Sequence, residues 1–243
     1  MTLALNLDRK AEAAAVVHSH GVPHRRIEEW KYTDLRALMR EVLPLAAAPD
    51  AAALERAAIA LSALSADDGA RRLVLVDGMF TPSLSNLSGL EPGVEVRPLR
   101  EMLELGRQGS ASLLDNGTVD GAMISLNAAM ATDGVLIGVA QATALAKPIH
   151  IVHVATRSSA ASYTRSFLEV GNAARVTLLE SFVAADGANA YQTNDALTVR
   201  LGENVELHQV MAATEEASIS LQMLVEIRNK FTEAYKTVIQ MQG

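Results

Sequence analysis

A chain of 243 residues with a formal charge of −7, 21 Lys and Arg against 28 Asp and Glu, has neither the basic excess nor the aromatic-basic interleaving of a nucleic-acid binder. It contains no cysteine, which excludes disulfides, thiolate metal sites and cysteine nucleophiles. The length suffices for one domain with a sizeable core or for two smaller ones.

The opening stretch MTLALNLDRKAEAAAVV breaks its apolar run with Asp8, Arg9, Lys10 and Glu12, so it reads as neither a signal peptide nor an anchor. No other uncharged apolar run is long enough to span a bilayer, and a cytoplasmic location is the default expectation. Residues 7–20 read as a helix closed by Gly21 and Pro23. His18, His20 and His24 gather at its end, where histidines suit the helix dipole better than a metal. The next segment, PHRRIEEWKYTDLRALM, packs Arg25, Arg26, Glu28, Glu29, Lys31 and Asp34 around the single tryptophan, Trp30. Charge spacing alone predicts a solvated helix with its aromatic residue plugged into the body. Asp50 to Leu64 then reads as an alanine-rich helix with Asp50 as N-cap, RRLVLVDGMF at 71–80 as a buried strand and turn, and Pro98 to Leu114 as another amphipathic helix.

From Gly134 to Gly202 short strands follow one another: VLIGVA, PIHIVHVA, SYTRSFLEV, ARVTLLESFVA and YQTNDALTVRL, with Gly, Pro, Asn or Asp in each gap. Onsets near Val135, Ile149, Tyr163, Val176 and Tyr191 recur at a period of about fourteen residues. In SYTRSFLEV, Thr164, Ser166, Leu168 and Val170 share one face, and Tyr163, Arg165, Phe167 and Glu169 the other. Ala, Thr and Ser are too frequent beside the large residues for a thick sandwich core, so a stacked solenoid with a thin interior ranks first. Asn-Gly and Asp-Gly pairs at Asn116-Gly117, Asp133-Gly134 and Asp186-Gly187 would equally suit the hairpins of an antiparallel sandwich.

From about Val205 the pattern turns helical. Val210, Thr214, Ala217, Leu221, Leu224, Arg228, Phe231, Tyr235 and Val238 recur at gaps of four and three, which predicts one long amphipathic helix. Leu221, Leu224, Phe231 and Tyr235 form its candidate interaction stripe. The alternative role for that stripe is to cover the open end of the solenoid.

Little in the chain points to chemistry. His150 and His153 stand three apart in PIHIVHV, so they point to opposite faces and cannot share one metal; two partly exposed strand histidines are expected. Asp133 and Asp186 precede glycines and mark turns. No G-x-S-x-G elbow, phosphate-cradling loop or H-E-x-x-H motif occurs. No catalytic, cofactor-binding or metal-ligating residue is assigned, and a free-standing enzyme is the weakest reading.

Two segments carry resemblances. RRIEEWKYTDLRAL at Arg25 to Leu38 resembles the R-x-E-x-W-K-Y-T-x-L signature near the start of the SufD family, scaffold proteins of Suf iron–sulfur cluster assembly. SLNAAMATDGVLIGVAQATALAKPIHIVHVA at Ser125 to Ala155 is similar to that family's LNAA-x-x-x-DG segment and the PIH strand after it. The likeness runs through the strands to about Gly202. Separately, ELHQVMAATEEASISLQMLVEIRNKFTEAYKTVIQMQG resembles the C-terminal end of FliE, a flagellar hook-basal body protein, departing from it at Lys236, Thr237 and Gln240.

The SufD resemblance implies a non-catalytic protein that pairs with a SufB-like scaffold and engages a SufC-like ABC-type ATPase through a C-terminal domain. It also implies that the family's functional cysteine and histidine lie beyond the part matched, so no position here inherits either role. The FliE resemblance implies a structural element of the flagellar basal body, packed between membrane ring and rod. The expected fold is α+β: an N-terminal helical α/β region at 1–118, a truncated right-handed parallel β-helix at 119–203, and a long C-terminal amphipathic helix at 204–243. The expected function is a Suf-system assembly scaffold that binds protein partners, with the flagellar role as the alternative.

Overall fold

The computed structural model describes residues 10, 11, 14, 15, 18, 21–41, 43–64, 69–104, 113, 114 and 121–205. The stripe at Leu221, Leu224, Phe231 and Tyr235, the rest of the C-terminal helix, His20 and Asn116-Gly117 lie outside these residues. The described residues divide into two compact units, 22–40 and the remainder.

In the smaller unit the charged segment around Trp30 forms a 3-10 turn at Glu28–Trp30 and a four-residue helix α1 (Leu35–Leu38), where the charge spacing predicts a single helix. Asp34 is the reason for the break: its extended backbone, φ −109° and ψ 94°, interrupts the turn before α1 begins. Local pairs hold the loop, Arg25 Nε to Asp34 Oδ2 at 3.3 Å and Lys31 Nζ to Glu28 Oε1 at 3.0 Å. Tyr32 stands 78% exposed beside them.

The larger unit is mixed α+β. Its elements are α2 (Ala51–Ala63), β1 (Arg71–Val76), β2 (Met79–Phe80), β3 (Val94–Pro98), α3 (Leu99–Glu104), α4 (Ala122–Met130), β4 (Val135–Val139), β5 (Ile149–Ala155), β6 (Ala161–Val170), β7 (Leu178–Ala184) and β8 (Gln192–Leu201). Asp50 caps α2 as expected, its Oδ1 accepting from the Ala53 amide at 2.8 Å. Ala53, Ala57 and Leu61, four residues apart, form the buried face of α2. Ala57 and Leu61 pack on Val74, Val76, Val152 and Val154, the outer face of β1 and β5.

Two four-stranded sheets run in the orders β2-β1-β5-β7 and β3-β4-β6-β8. From β4 onward successive strands alternate between them, and each pairs in parallel with the strand after next: Leu136 with Phe167, Ile149 with Leu178, Ala161 with Gln192. One return to the same sheet therefore takes 29 to 31 residues, twice the fourteen-residue strand period. The corners repeat as well. Ala142, Ala173 and Asn204 stand 31 residues apart and share φ near +57°, as do Ser159 and Ala190 at +52°. Left-handed backbone is costly for residues with a Cβ, and its recurrence at one register shows that the strand stacking holds these corners in place.

The parallel pairing removes the antiparallel hairpins that Asp133-Gly134 and Asp186-Gly187 would suit. Asp133-Gly134 instead leads into β4. Gly134 is required there by a close approach, since a Cβ would fall 1.9 Å from the Arg165 carbonyl oxygen. The described two-residue Asp-Gly hairpin is Asp77-Gly78, which joins β1 to β2 with both residues at positive φ, 49° and 82°. Asp77 anchors the turn by accepting from the Thr156 amide at 2.7 Å and the Thr156 hydroxyl at 2.6 Å.

Candidate functional site

The space between the two sheets has an apolar half and a polar half. Leu73 and Leu75 from β1, Ile149 and Ile151 from β5, Ile137 from β4, and Leu168 and Val170 from β6 fill the first. Strand alternation that continues past them puts polar residues at the other end. On β6 the face of Leu168 and Val170 continues back through Ser166 to Thr164, both fully buried, as the alternation in SYTRSFLEV predicts. On β5 the face of Ile149 and Ile151 continues to His153. On β8 the face of Leu197 and Val199 continues back to Asp195, and on β7 Glu180 lies between Leu178 and Phe182.

Three of these side chains meet. His153 Nε2 lies 3.3 Å from Glu180 Oε1 and 3.8 Å from Asp195 Oδ1. The Thr164 hydroxyl donates to that same Asp195 oxygen across the parallel β6–β8 pair. The His153 ring is clamped by Phe182, its register partner on β7, with centroids 4.6 Å apart and planes 8° from parallel. The ring is thus fixed in plane while its Nε2 faces two carboxylates.

The electrostatics follow from this crowding. Burial pushes the Asp195 carboxyl up, and the Glu180 charge adds to that. Together they outweigh the imidazole of His153 and the Thr164 hydroxyl, and the group reaches about 7. For His153, burial works against the charged form, but Asp195 and Glu180 prevail and the net shift is upward. One imidazole nitrogen and two carboxylate oxygens within 4.8 Å of one another can share a proton or hold a cation. A small pocket lined by Gly78, His153, Ser162, Phe182, Tyr191 and Thr193 reaches the imidazole.

His150 and His153 do point to opposite faces, and they meet different partners: His150 Nε2 lies 2.8 Å from Ser181 Oγ, away from the cluster. Both are buried, 7% and 6% exposed, where partial exposure was expected. The reason is that β7 pairs alongside β5 and its side chains cover the imidazoles. His18 is exposed, and His24 accepts from the Arg26 amide through Nδ1 at 3.2 Å, which is a turn contact. Glu180 and Asp195 were not identified from sequence, although each breaks an otherwise uncharged, half-buried inward face, and that signal was readable.

The LNAA-x-x-x-DG segment proves architectural. Asn127 of α4 donates through Nδ2 to the carbonyls of Thr164 and Asn194 at 2.8 and 2.9 Å and accepts from buried Arg165 at 3.3 Å, tying the helix to β6 and β8. Asp133 accepts from the amides of Phe80 and Arg100 at 3.0 and 2.9 Å, joining β2 and α3 to the start of β4.

A family model described as the SufBD protein N-terminal region matches residues 2–151. A second, the flagellar hook-basal body complex protein FliE, matches residues 153–242. The chain is 28% identical over 218 residues to an iron–sulfur cluster assembly SufBD family protein of Synechocystis, covering 84% of this chain and 46% of that protein. It is 28% identical over 199 residues to the iron–sulfur cluster assembly protein SufD of Escherichia coli, covering 80% and 43%. The chain thus spans about half the length of these relatives. It is also 40% identical over 77 residues to FliE of Bacillus subtilis, covering 32% of this chain and 66% of that protein. The cluster at 153, 180 and 195 lies beyond the SufBD family-model match, which ends at residue 151, but within the stretch similar to the Synechocystis protein.

Proposed function

The chain belongs to the SufBD N-terminal-region family, and from that premise we propose that it acts as a scaffold in Suf-type iron–sulfur cluster assembly. The observation that carries this reading is the family match over residues 2–151, which takes in the Trp30 signature entire and all but the last four residues of the Ser125–Ala155 segment, the two segments that resemble SufD. The role is non-catalytic: the chain pairs with a SufB-like scaffold in the cytoplasm, while in the family it resembles the SufC-like ATPase engages a C-terminal domain outside the matched residues. Among the described residues no helix is long and apolar enough to cross a membrane.

Within this reading, residues 119–203 form coils of a right-handed parallel β-helix, preceded by the α/β region at 1–118 and followed by an amphipathic helix at 204–243. The 29-to-31-residue parallel register and the repeated left-handed corners support the coil geometry.

A second reading has its own observation. The FliE match over residues 153–242 supports a flagellar basal-body role for the C-terminal segment, with Leu221, Leu224, Phe231 and Tyr235 as its contact stripe. Affinity capture of the tagged whole chain from its source cells tests the two. Recovery of a SufB-like protein is the expected result; recovery of rod and ring components in its place would overturn the scaffold reading.

A further inference from the structure

We propose that His153, Glu180 and Asp195 form a binding site for one divalent first-row transition-metal ion, held between the two sheets. This rests on the geometry of the cluster and is independent of the scaffold reading.

Donor type comes first. One imidazole nitrogen with two carboxylate oxygens is a mixed set that suits Zn²⁺, Fe²⁺ or Co²⁺, whereas Ca²⁺ and Mg²⁺ take oxygen ligands. Spacing comes second. Bonds of about 2.0–2.1 Å in a tetrahedral site separate neighbouring donors by about 3.3 Å. His153 Nε2 and Glu180 Oε1 already stand at 3.3 Å, and His153 Nε2 to Asp195 Oδ1 at 3.8 Å needs only a side-chain adjustment of about half an ångström. The third argument is charge. Two carboxyl groups and one imidazole crowd within 4.8 Å of one another, and a divalent cation among them supplies positive charge that both carboxylates can share.

The surroundings suit a metal site. The Thr164 hydroxyl orients the Asp195 carboxylate and the Phe182 ring sets the plane of the imidazole, the supporting contacts that metal ligands need. A pocket with room for about one water-sized particle borders His153, the imidazole ligand. Three protein donors with one open position is the arrangement of a site that binds something further, rather than one that only stabilises a fold.

The test is calorimetric titration of the chelator-stripped whole chain with Zn²⁺, paired with absorption spectra of the Co²⁺ form. One equivalent of tight binding and the visible bands of tetrahedral Co²⁺ are expected. Glu180→Gln and Asp195→Asn keep the shape of the side chains and should each weaken binding by a factor of about 100, and Thr164→Val by about 10. Zn²⁺ should also raise the melting temperature of the parent but not of Glu180→Gln. His18→Ala/His24→Ala should bind as the parent does. Absence of Zn²⁺ binding would overturn the assignment. So would parent-like binding in Glu180→Gln and Asp195→Asn, or loss of binding confined to His18→Ala/His24→Ala.

Discussion

The two halves of the space between the sheets are made by the same strands in the same register, yet one is closed with Leu73, Ile149, Ile151, Ile137 and Leu168 and the other with His153, Thr164, Glu180 and Asp195. The backbone ladder is indifferent to the choice, because parallel hydrogen bonding continues through both. The side chains are not. At the apolar end each buried side chain contributes about 25 cal/mol per Å² removed from water. At the polar end a hydrogen bond returns about 1 kcal/mol net, and buried charges carry a desolvation cost that their pairing only partly offsets. Stability therefore comes mainly from one half of the interior, and the capacity for chemistry from the other.

Four experiments would break or sharpen that contrast. The largest effect is expected from Gly134→Ala, which places a Cβ 1.9 Å from the Arg165 carbonyl oxygen and pushes β4 from β6 where the two halves meet. A loss of more than about 3 kcal/mol in chemical denaturation is expected. A loss below about 1 kcal/mol would mean that the strands are not held so close.

Ile151→Ala removes a fully buried side chain of the apolar half and should cost about 3 kcal/mol in the same assay. The complementary change, His153→Leu with Glu180→Leu and Asp195→Leu, extends the apolar filling into the polar half. Replacing a buried charged group by apolar residues of similar volume should raise stability by about 1–4 kcal/mol. Destabilisation of that variant would show that the polar cluster supports the fold.

The smallest effect concerns pH. Burial raises the Asp133 carboxyl above its usual value, despite the backbone amides of Arg100, Gly134 and Phe80 that favour the charged form. The native state then keeps a proton that the unfolded chain has already released. The resulting stability is full below the unfolded value of about 3.9 and is lost as pH rises through the higher folded value. Urea midpoints measured from pH 4 upward should therefore fall more steeply for the parent than for Asp133→Asn. Parallel slopes would remove this assignment.

Much of the ladder was legible in the sequence. Strand onsets expected near residues 135, 149, 163, 176 and 191 begin in the structure at 135, 149, 161, 178 and 192. The face assignment on β6 holds, because alternation is a property of consecutive residues. The Asp50 cap was readable for the same reason, since its bond reaches three residues along the chain. The Trp30 segment was misjudged as one helix, because charge spacing reports which side chains could pair and not where Asp34 turns the backbone.

Sequence alone determined where strands begin, which residues share a face, and which families the chain resembles. Only the tertiary structure decided which Asp-Gly pair makes a hairpin and that His153, Glu180 and Asp195 converge from three strands. Those outcomes depend on register between strands 29 to 31 residues apart, and on which sheet each strand enters. A shift of one residue would turn Glu180 or Asp195 to the outer face, and register is set by packing across the whole interior rather than by the residues beside them.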